Sequence, residues 1–130
     1  MPSEDITLRE TIENAIAEHE TILFMKGNPE QPACGFSARA VSALQTLGVP
    51  FAAVDILPDP RIRQELSAIS NWPTIPQLFY KGELIGGCDI ILEMLENGEL
   101  AELFGTKQPE ALEDVNQEQK PLQIDNNLGN

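Results

Sequence analysis

Cys34-Gly35-Phe36-Ser37 is the stretch on which the interpretation of this 130-residue sequence depends. It follows a proline-rich loop and begins a segment whose apolar residues recur at helical spacing. The first N–H groups of a helix have no partner within the helix, and the helix dipole adds partial positive charge there. Both effects favour the thiolate of Cys34, the form that attacks disulfides and binds metals. We therefore predict a reactive cysteine at a helix start.

The residue at position 37 limits what that cysteine can do. A dithiol redox motif has a second cysteine three positions after the first, which resolves mixed disulfides. Here that position is Ser37, which cannot do so. The pattern predicts a site that captures a thiol partner or binds a soft metal. From these four residues alone, the alternative that Cys34 is a small buried hydrophobic residue stays open.

Composition excludes several classes of protein. The hydrophobic fraction of 42% is ordinary for one globular domain, and the net charge of −13 argues against a nucleic-acid partner. No apolar stretch approaches the ~18 residues of a membrane span, and no signal peptide is recognisable. Two cysteines, Cys34 and Cys88, indicate a reducing compartment. We expect a cytoplasmic protein, with an organelle matrix as the open alternative.

The first half of the chain has the pattern of a helix followed by a βαβ unit. Residues 7–19 have helical spacing, and Thr7 with Glu10 matches a capping box. The continuously apolar segment 21–25 predicts a strand buried on both faces. The helix after Cys34 is expected to bury Phe36 on its apolar face and to end near Gly48, before a strand over 51–55.

The second half predicts a helix, a hairpin and two terminal helices. Asp59 caps the third helix, which is expected to bury Ile62, Leu66 and Ile69. The spacing alone favours solvent over a ligand for Arg63. Residues 71–76 contain two prolines and predict a tight loop with a cis bond before Pro76. Strands over 77–80 and 83–86 follow, joined by a two-residue turn, and Cys88 begins the next helix. Residues 106–130 are acidic, poor in large apolar side chains and expected to be flexible.

The elements together predict an α/β fold with a four-stranded mixed sheet flanked by helices on both faces. Five motifs in this order resemble the thioredoxin fold and, specifically, the monothiol glutaredoxin family of the CGFS type. They are Phe24-Met25-Lys26-Gly27, Cys34-Gly35-Phe36-Ser37, Asp55-Ile56-Leu57, Asn71-Trp72-Pro73-Thr74-Ile75-Pro76-Gln77-Leu78 and Gly86-Gly87-Cys88-Asp89. The resemblance covers residues 8–105, which gives a glutaredoxin domain over 1–105 and a tail over 106–130.

The resemblance implies a glutathione site. Lys26 and Arg63 would hold the carboxylates of the tripeptide, which reverses the solvent assignment of Arg63. The backbone of Ile75 would pair with the cysteinyl part. Cys88 and Asp89 would bind the γ-glutamyl end at the helix start.

The resemblance also implies a function. Family members of this type hold a [2Fe-2S] cluster between two subunits and pass it to apo iron–sulfur recipient proteins. Cys34, the expected catalytic residue, would be the cluster ligand in each chain of a homodimer, beside a glutathione thiol. Two alternatives stay open, a glutathione-dependent oxidoreductase that deglutathionylates proteins and an adaptor without redox chemistry. A BolA-like partner is a further possibility.

Overall fold

A four-stranded sheet lies at the centre of the structure, a computed structural model that describes residues 7–108. Helices and strands alternate along the first two thirds of this range, and two helices end it. The elements are α1 (Leu8–Glu18), β1 (Thr21–Met25), α2 (Gly35–Thr46), β2 (Ala52–Asp55), α3 (Pro60–Ser70), β3 (Gln77–Tyr80), β4 (Glu83–Gly86), α4 (Cys88–Asn97) and α5 (Glu99–Phe104).

The sheet has the strand order β2-β1-β3-β4 and is mixed, as predicted. Strand β1 pairs in parallel with β2 and antiparallel with β3, and β3 pairs antiparallel with β4. The parallel pair requires a crossover, which α2 supplies. The hairpin turn consists of Lys81 and Gly82, both with positive φ (51° and 85°), as expected for a two-residue turn.

Two hydrophobic clusters cover the two faces of the sheet. Leu23 and Met25 of β1 pack into a cluster with residues of α2, α4 and α5. Ile22 and Phe24 pack into the other cluster, with residues of α1 and α3. Side chains of a strand alternate between faces, so a strand with a helical layer on each side must be apolar throughout. The predicted layers of helices on both faces are confirmed.

Local signals place most helix starts where the sequence predicts them. Thr7 and Glu10 form the capping box of α1, and Cys34 is the N-cap of α2. Asp59 accepts a hydrogen bond from the Arg61 N–H at 3.0 Å, with Pro60 as the first residue of α3. The Ile75–Pro76 peptide bond is cis.

Three expectations for individual residues differ from the structure. Phe36 was predicted to be buried, but its side chain is 55% exposed. It lies in the first turn of α2, where Arg39 rather than the sheet covers its ring. Strand β2 begins at Ala52, one residue later than predicted. In α3 only Leu66 is fully buried, because the neighbouring isoleucines lie at the edge of the contact with α1.

Hydrogen bonds continue for three residues beyond Gly105. The Thr106 hydroxyl donates to the Leu47 carbonyl at 3.4 Å, and the Gln108 amide donates to the Leu95 carbonyl at 3.0 Å. These bonds hold residues 106–108 against the ends of α2 and α4. The rest of the predicted flexible tail, residues 109–130, lies outside the described residues. Within the range 7–108, no helix has the length and apolar character needed to cross a membrane.

Candidate functional site

Cys34 lies at the start of α2, where Ser37 contacts its sulfur twice. The Ser37 N–H donates to Sγ at 3.4 Å, so the cysteine side chain itself caps the helix. Sγ also lies 3.5 Å from Oγ of Ser37. Cys34 is half-buried, so an external ligand can reach the sulfur.

The surroundings of Cys34 lower the pKa of its thiol. Burial, the largest single influence, raises this pKa. The hydroxyl and N–H of Ser37, the N–H of Phe36 and the charge of Lys26 all lower it, and together they outweigh burial. Because donors and positive charge stabilise the thiolate, Cys34 is prepared as a nucleophile and as a metal ligand.

Ser37 also connects α2 to the sheet. Its side chain is fully buried, and its Oγ accepts a hydrogen bond from the Lys26 N–H at 3.0 Å. Because Oγ accepts from the backbone, its hydroxyl proton is available to the Cys34 thiolate. The sequence analysis assigned Ser37 only the absence of a resolving thiol, and the structure adds a positioning role.

The loop between β1 and α2 is held by a carboxylate from β2. Asp55 Oδ1 accepts hydrogen bonds from the N–H groups of Gly27 and Leu57, each at 2.9 Å. The Ala33 N–H returns to the Lys26 carbonyl at 2.8 Å, which closes the loop. These bonds fix the backbone of Lys26 next to Cys34, where the charge of Lys26 acts on the sulfur.

A pocket of about 190 Å³ opens beside the start of α4. It brings together three of the residues predicted to bind glutathione, namely Ile75, Cys88 and Asp89. Two aromatic side chains, Phe36 and Trp72, complete much of its wall. The exposed position of Phe36 therefore gives it a place at the pocket that the helical spacing did not predict.

The pocket is bordered by hydrogen-bond donors that lack partners in the described part of the chain. Gly87 is the N-cap of α4 and no side chain caps this helix, so its first N–H groups are free for a ligand. The indole Nε1 of Trp72 is buried without an acceptor among residues 7–108. A Cβ added at Gly87 would lie 3.1 Å from that Nε1 and 3.2 Å from the Pro76 carbonyl oxygen. The glycine thus keeps this space open.

The pKa of the second thiol, Cys88, is shifted in the opposite direction to that of Cys34. It is 7% exposed, and burial raises its pKa, while the charge of Arg39 opposes that shift. The charge of Cys34 contributes a smaller increase in this pKa. Cys88 therefore stays protonated under conditions in which Cys34 ionises.

Arg63 is not among the residues that line this pocket, but it contacts the loop before β3. It is exposed, and its Nη2 is 3.5 Å from the carbonyl oxygen of Pro73, which precedes the pocket residue Thr74. The side chain is exposed to solvent, as its helical spacing indicates, and its role toward a carboxylate of glutathione stays a prediction.

The described residues contain no group of three or more His, Cys, Asp and Glu side chains that could hold a metal ion. Cys34 is thus the one accessible thiolate that this part of the chain offers. A metal cluster at this site needs further ligands from outside the chain.

Comparison with known proteins identifies the family. The family model described as Glutaredoxin matches residues 21–85. Glutaredoxin 4 of Buchnera aphidicola (subspecies Schizaphis graminum) is 58% identical over 95 residues, which cover 73% of this chain and 89% of that protein. The chain belongs to the glutaredoxin family. With Ser37 in the resolving position, it is a monothiol glutaredoxin.

Solved structures agree with this assignment. Reduced poplar apo GrxS14 is 42% identical, has a TM-score of 0.67 and is matched over 78% of this chain and 94% of its own. A buckwheat glutaredoxin–glutathione complex has a TM-score of 0.68 at 20% identity, over 81% of this chain and 94% of its own. The latter likeness concerns the fold alone, so this glutaredoxin has the thioredoxin-like fold.

Proposed function

We propose that this glutaredoxin binds glutathione in the pocket beside Cys34 and carries a [2Fe-2S] cluster as cargo between two subunits. The observation that carries the proposal is the accessible Cys34 thiol with its lowered pKa and with Ser37 in the resolving position. A thiolate that cannot close an internal Cys-x-x-Cys disulfide remains available to a soft metal or to a glutathione sulfur.

Glutathione fits the charges and donors around the pocket. Its two carboxylates match the cations Lys26 and Arg63 and the uncapped start of α4 at Cys88. Its ammonium group matches the carboxylate of Asp89. Its cysteinyl amide can pair with the backbone of Ile75, the residue before the prolyl ring.

A count of thiolates favours the cluster as cargo. Iron–sulfur clusters of this type are commonly held by four thiolates, and each chain presents Cys34 alone. A glutathione bound next to Cys34 supplies a second thiolate per subunit, so two facing subunits complete the set. The exposed ring of Phe36, two residues from Cys34, provides apolar surface that a facing subunit would cover. Apo iron–sulfur proteins and a BolA-like protein are the partners that such a carrier requires or recruits.

The lowered pKa of Cys34 also favours a second activity, the deglutathionylation of proteins. The Cys34 thiolate would attack a protein–glutathione disulfide, release the protein thiol and take up the glutathione as a mixed disulfide. A second glutathione would then regenerate Cys34 and leave as glutathione disulfide. Ser37 makes this external resolution obligatory.

Anaerobic reconstitution with iron, sulfide and glutathione tests the proposed carrier function. We expect the native protein to develop the visible charge-transfer absorption of a [2Fe-2S] cluster. Cys34→Ala should lose that absorption completely, because no other accessible thiolate is present in the described site. Cys88→Ser is the matched control and should retain most of it, because Cys88 contributes its backbone N–H, which serine preserves.

The two variants together distinguish the possible ligands. A cluster that survives the loss of Cys34 but not the loss of Cys88 would show that Cys88, and not Cys34, is the cluster ligand. If the native protein shows no cluster absorption but rapidly deglutathionylates a glutathionylated peptide, the oxidoreductase function replaces the carrier function.

A further inference from the structure

Some of the positively charged side chains in the described part of the chain form ion pairs, and others do not. Arg9 pairs with Glu65 and Arg61 pairs with Asp59, each at 2.7 Å. Five cations form no ion pair within residues 7–108, although the chain as a whole has a net charge of −13. They are Lys81 in the hairpin turn, Lys107 after α5, and the three considered next, Lys26, Arg39 and Arg63. Lys26 and Arg63 already have an expected ligand, the carboxylates of glutathione. Arg39 is the one of these three cations to which no role has been assigned.

Arg39 lies next to Phe36, one of the residues that line the proposed glutathione pocket. It is one helical turn after Phe36 in α2, and its Cζ lies 5.6 Å from the centroid of the Phe36 ring. Phe36 and Cys88 both line the pocket, and α2 packs against α4. The charge of the guanidinium lowers the pKa of the Cys88 thiol, against the larger effect of burial, which raises it. Stacking on the aromatic ring holds the guanidinium in this position.

The groups around Arg39 and the start of α4 are suited to binding a carboxylate. The start of α4 has free N–H groups, and a guanidinium next to them adds a full positive charge with several donors. The neighbouring Asp89 is not within ion-pair distance of Arg39, so the cation remains available. Of the parts of glutathione, the γ-glutamyl group is the one expected at this helix start, and it has a free α-carboxylate.

We propose that Arg39, stacked on Phe36 beside the start of α4, is a further ligand-binding residue that holds the γ-glutamyl carboxylate of glutathione. The inference rests on the proposed glutathione site. It assigns the two ends of the tripeptide to separate cations, with Lys26 and Arg63 at the glycyl end and Arg39 at the γ-glutamyl end.

Thiol–disulfide exchange on the full-length reduced protein tests this assignment. The Cys34 thiolate attacks one sulfur of glutathione disulfide, the disulfide bond breaks, one glutathione thiolate leaves, and a mixed disulfide remains on Cys34. The equilibrium constant is measured by intact mass after an acid quench, with peptide mapping to confirm Cys34. The same measurement with N-acetylcysteinylglycine and its disulfide gives the exchange constant for a ligand that lacks the γ-glutamyl group.

We expect Arg39→Ala to lower the exchange constant for glutathione by about three- to tenfold and to leave that for N-acetylcysteinylglycine unchanged. Arg39→Lys should give an intermediate loss, because it retains charge without the guanidinium. Lys107→Gln, which removes an exposed positive charge away from the pocket, should leave both constants unchanged.

The contrary outcomes separate this inference from the proposed function. If the native protein prefers glutathione and Arg39→Ala keeps that preference, the assignment of Arg39 is wrong and the glutathione site stands. An equal loss for both ligands would show that Arg39 has only a structural role and does not bind the γ-glutamyl group. If the native protein itself shows no preference for glutathione, the γ-glutamyl site is absent and both proposals fail.

Discussion

At the scale of single residues, the hydroxyl of Ser37 is the group that does most to lower the pKa of the Cys34 thiol. The same Oγ accepts the Lys26 N–H at 3.0 Å and lies 3.5 Å from the Cys34 sulfur. A serine in place of a resolving cysteine therefore has two consequences. It removes the internal disulfide, and it provides a donor that keeps the remaining thiol ionised without a second sulfur.

Ser37→Ala tests this role through the pKa of Cys34. Hydrogen bonds from Ser37 lower that pKa, so loss of the hydroxyl should raise it toward the roughly 8.5 of a free cysteine. At a pH between the two values the variant holds less thiolate, and its alkylation by iodoacetamide should be slower than that of the native protein. Thiolate absorbance near 240 nm as a function of pH gives the two titration curves.

A matched serine in the same helix provides the control. Ser42 is exposed in α2, and Ser42→Ala should leave the titration of Cys34 unchanged. If Ser37→Ala and the native protein titrate together, the hydroxyl does not stabilise the thiolate. The lowered pKa of Cys34 would then have to come from the backbone N–H groups and Lys26.

At the scale of single residues, some features of the site could be predicted from the sequence and others could not. The position of Cys34 at a helix start was predictable because capping and dipole effects are local. The exposure of Phe36 was not, because helical spacing alone does not show where the sheet stops covering the first turn of α2. Trp72, which lines the pocket, and Arg39, which contacts the lining residue Phe36, were missed for a similar reason. Their places depend on the approach of α4, which is distant in sequence.

At the scale of elements, the loop from Lys26 to Ala33 sets the position of α2. Gly27 has φ +84°, and a Cβ there would lie 2.5 Å from the Gln31 carbonyl oxygen and 2.6 Å from the Ala33 nitrogen. Both atoms belong to the backbone and cannot rotate away. The loop therefore requires glycine at this position for space as well as for conformation.

Gly27→Ala should lower the thermal midpoint, because the loop must distort to admit the methyl group. A left-handed backbone alone costs about 1 kcal/mol for alanine, and in a domain of this size each kcal/mol lowers the midpoint by about 4–8 °C. Gly35→Ala is the control, because a Cβ at Gly35 meets nothing within 4 Å and its φ is not positive. Calorimetry that finds equal midpoints for the two variants would contradict the described loop.

The element order was largely predictable, and for physical reasons. The capping box at Thr7, the aspartate–proline start of α3 and the lysine–glycine hairpin are local signals that the tertiary structure does not override. Strand β1 was recognisable because burial on both faces leaves four consecutive apolar residues, Ile22 to Met25, after the β-branched Thr21. The half-burial of Ile62 and Ile69 was not predictable, since it depends on how far α1 extends across α3.

At the scale of the whole molecule, charge and assembly are connected. With a net charge of −13 per chain, two subunits repel each other when nothing bridges them. The charge of Lys26 next to Cys34 reduces this repulsion locally. We therefore propose that the protein is monomeric without cluster and dimeric with it, and that residues 1–105 form the assembling domain.

Native mass spectrometry of the anaerobically reconstituted protein is the most direct test of this central proposal. Because Cys34 supplies one thiolate per chain, we predict a species with two chains, two irons, two sulfides and two glutathiones. It should dissociate to monomers when the cluster is removed. A cluster-loaded monomer would contradict the account, as would a dimer that keeps its cluster after complete removal of glutathione with no substitute thiol present.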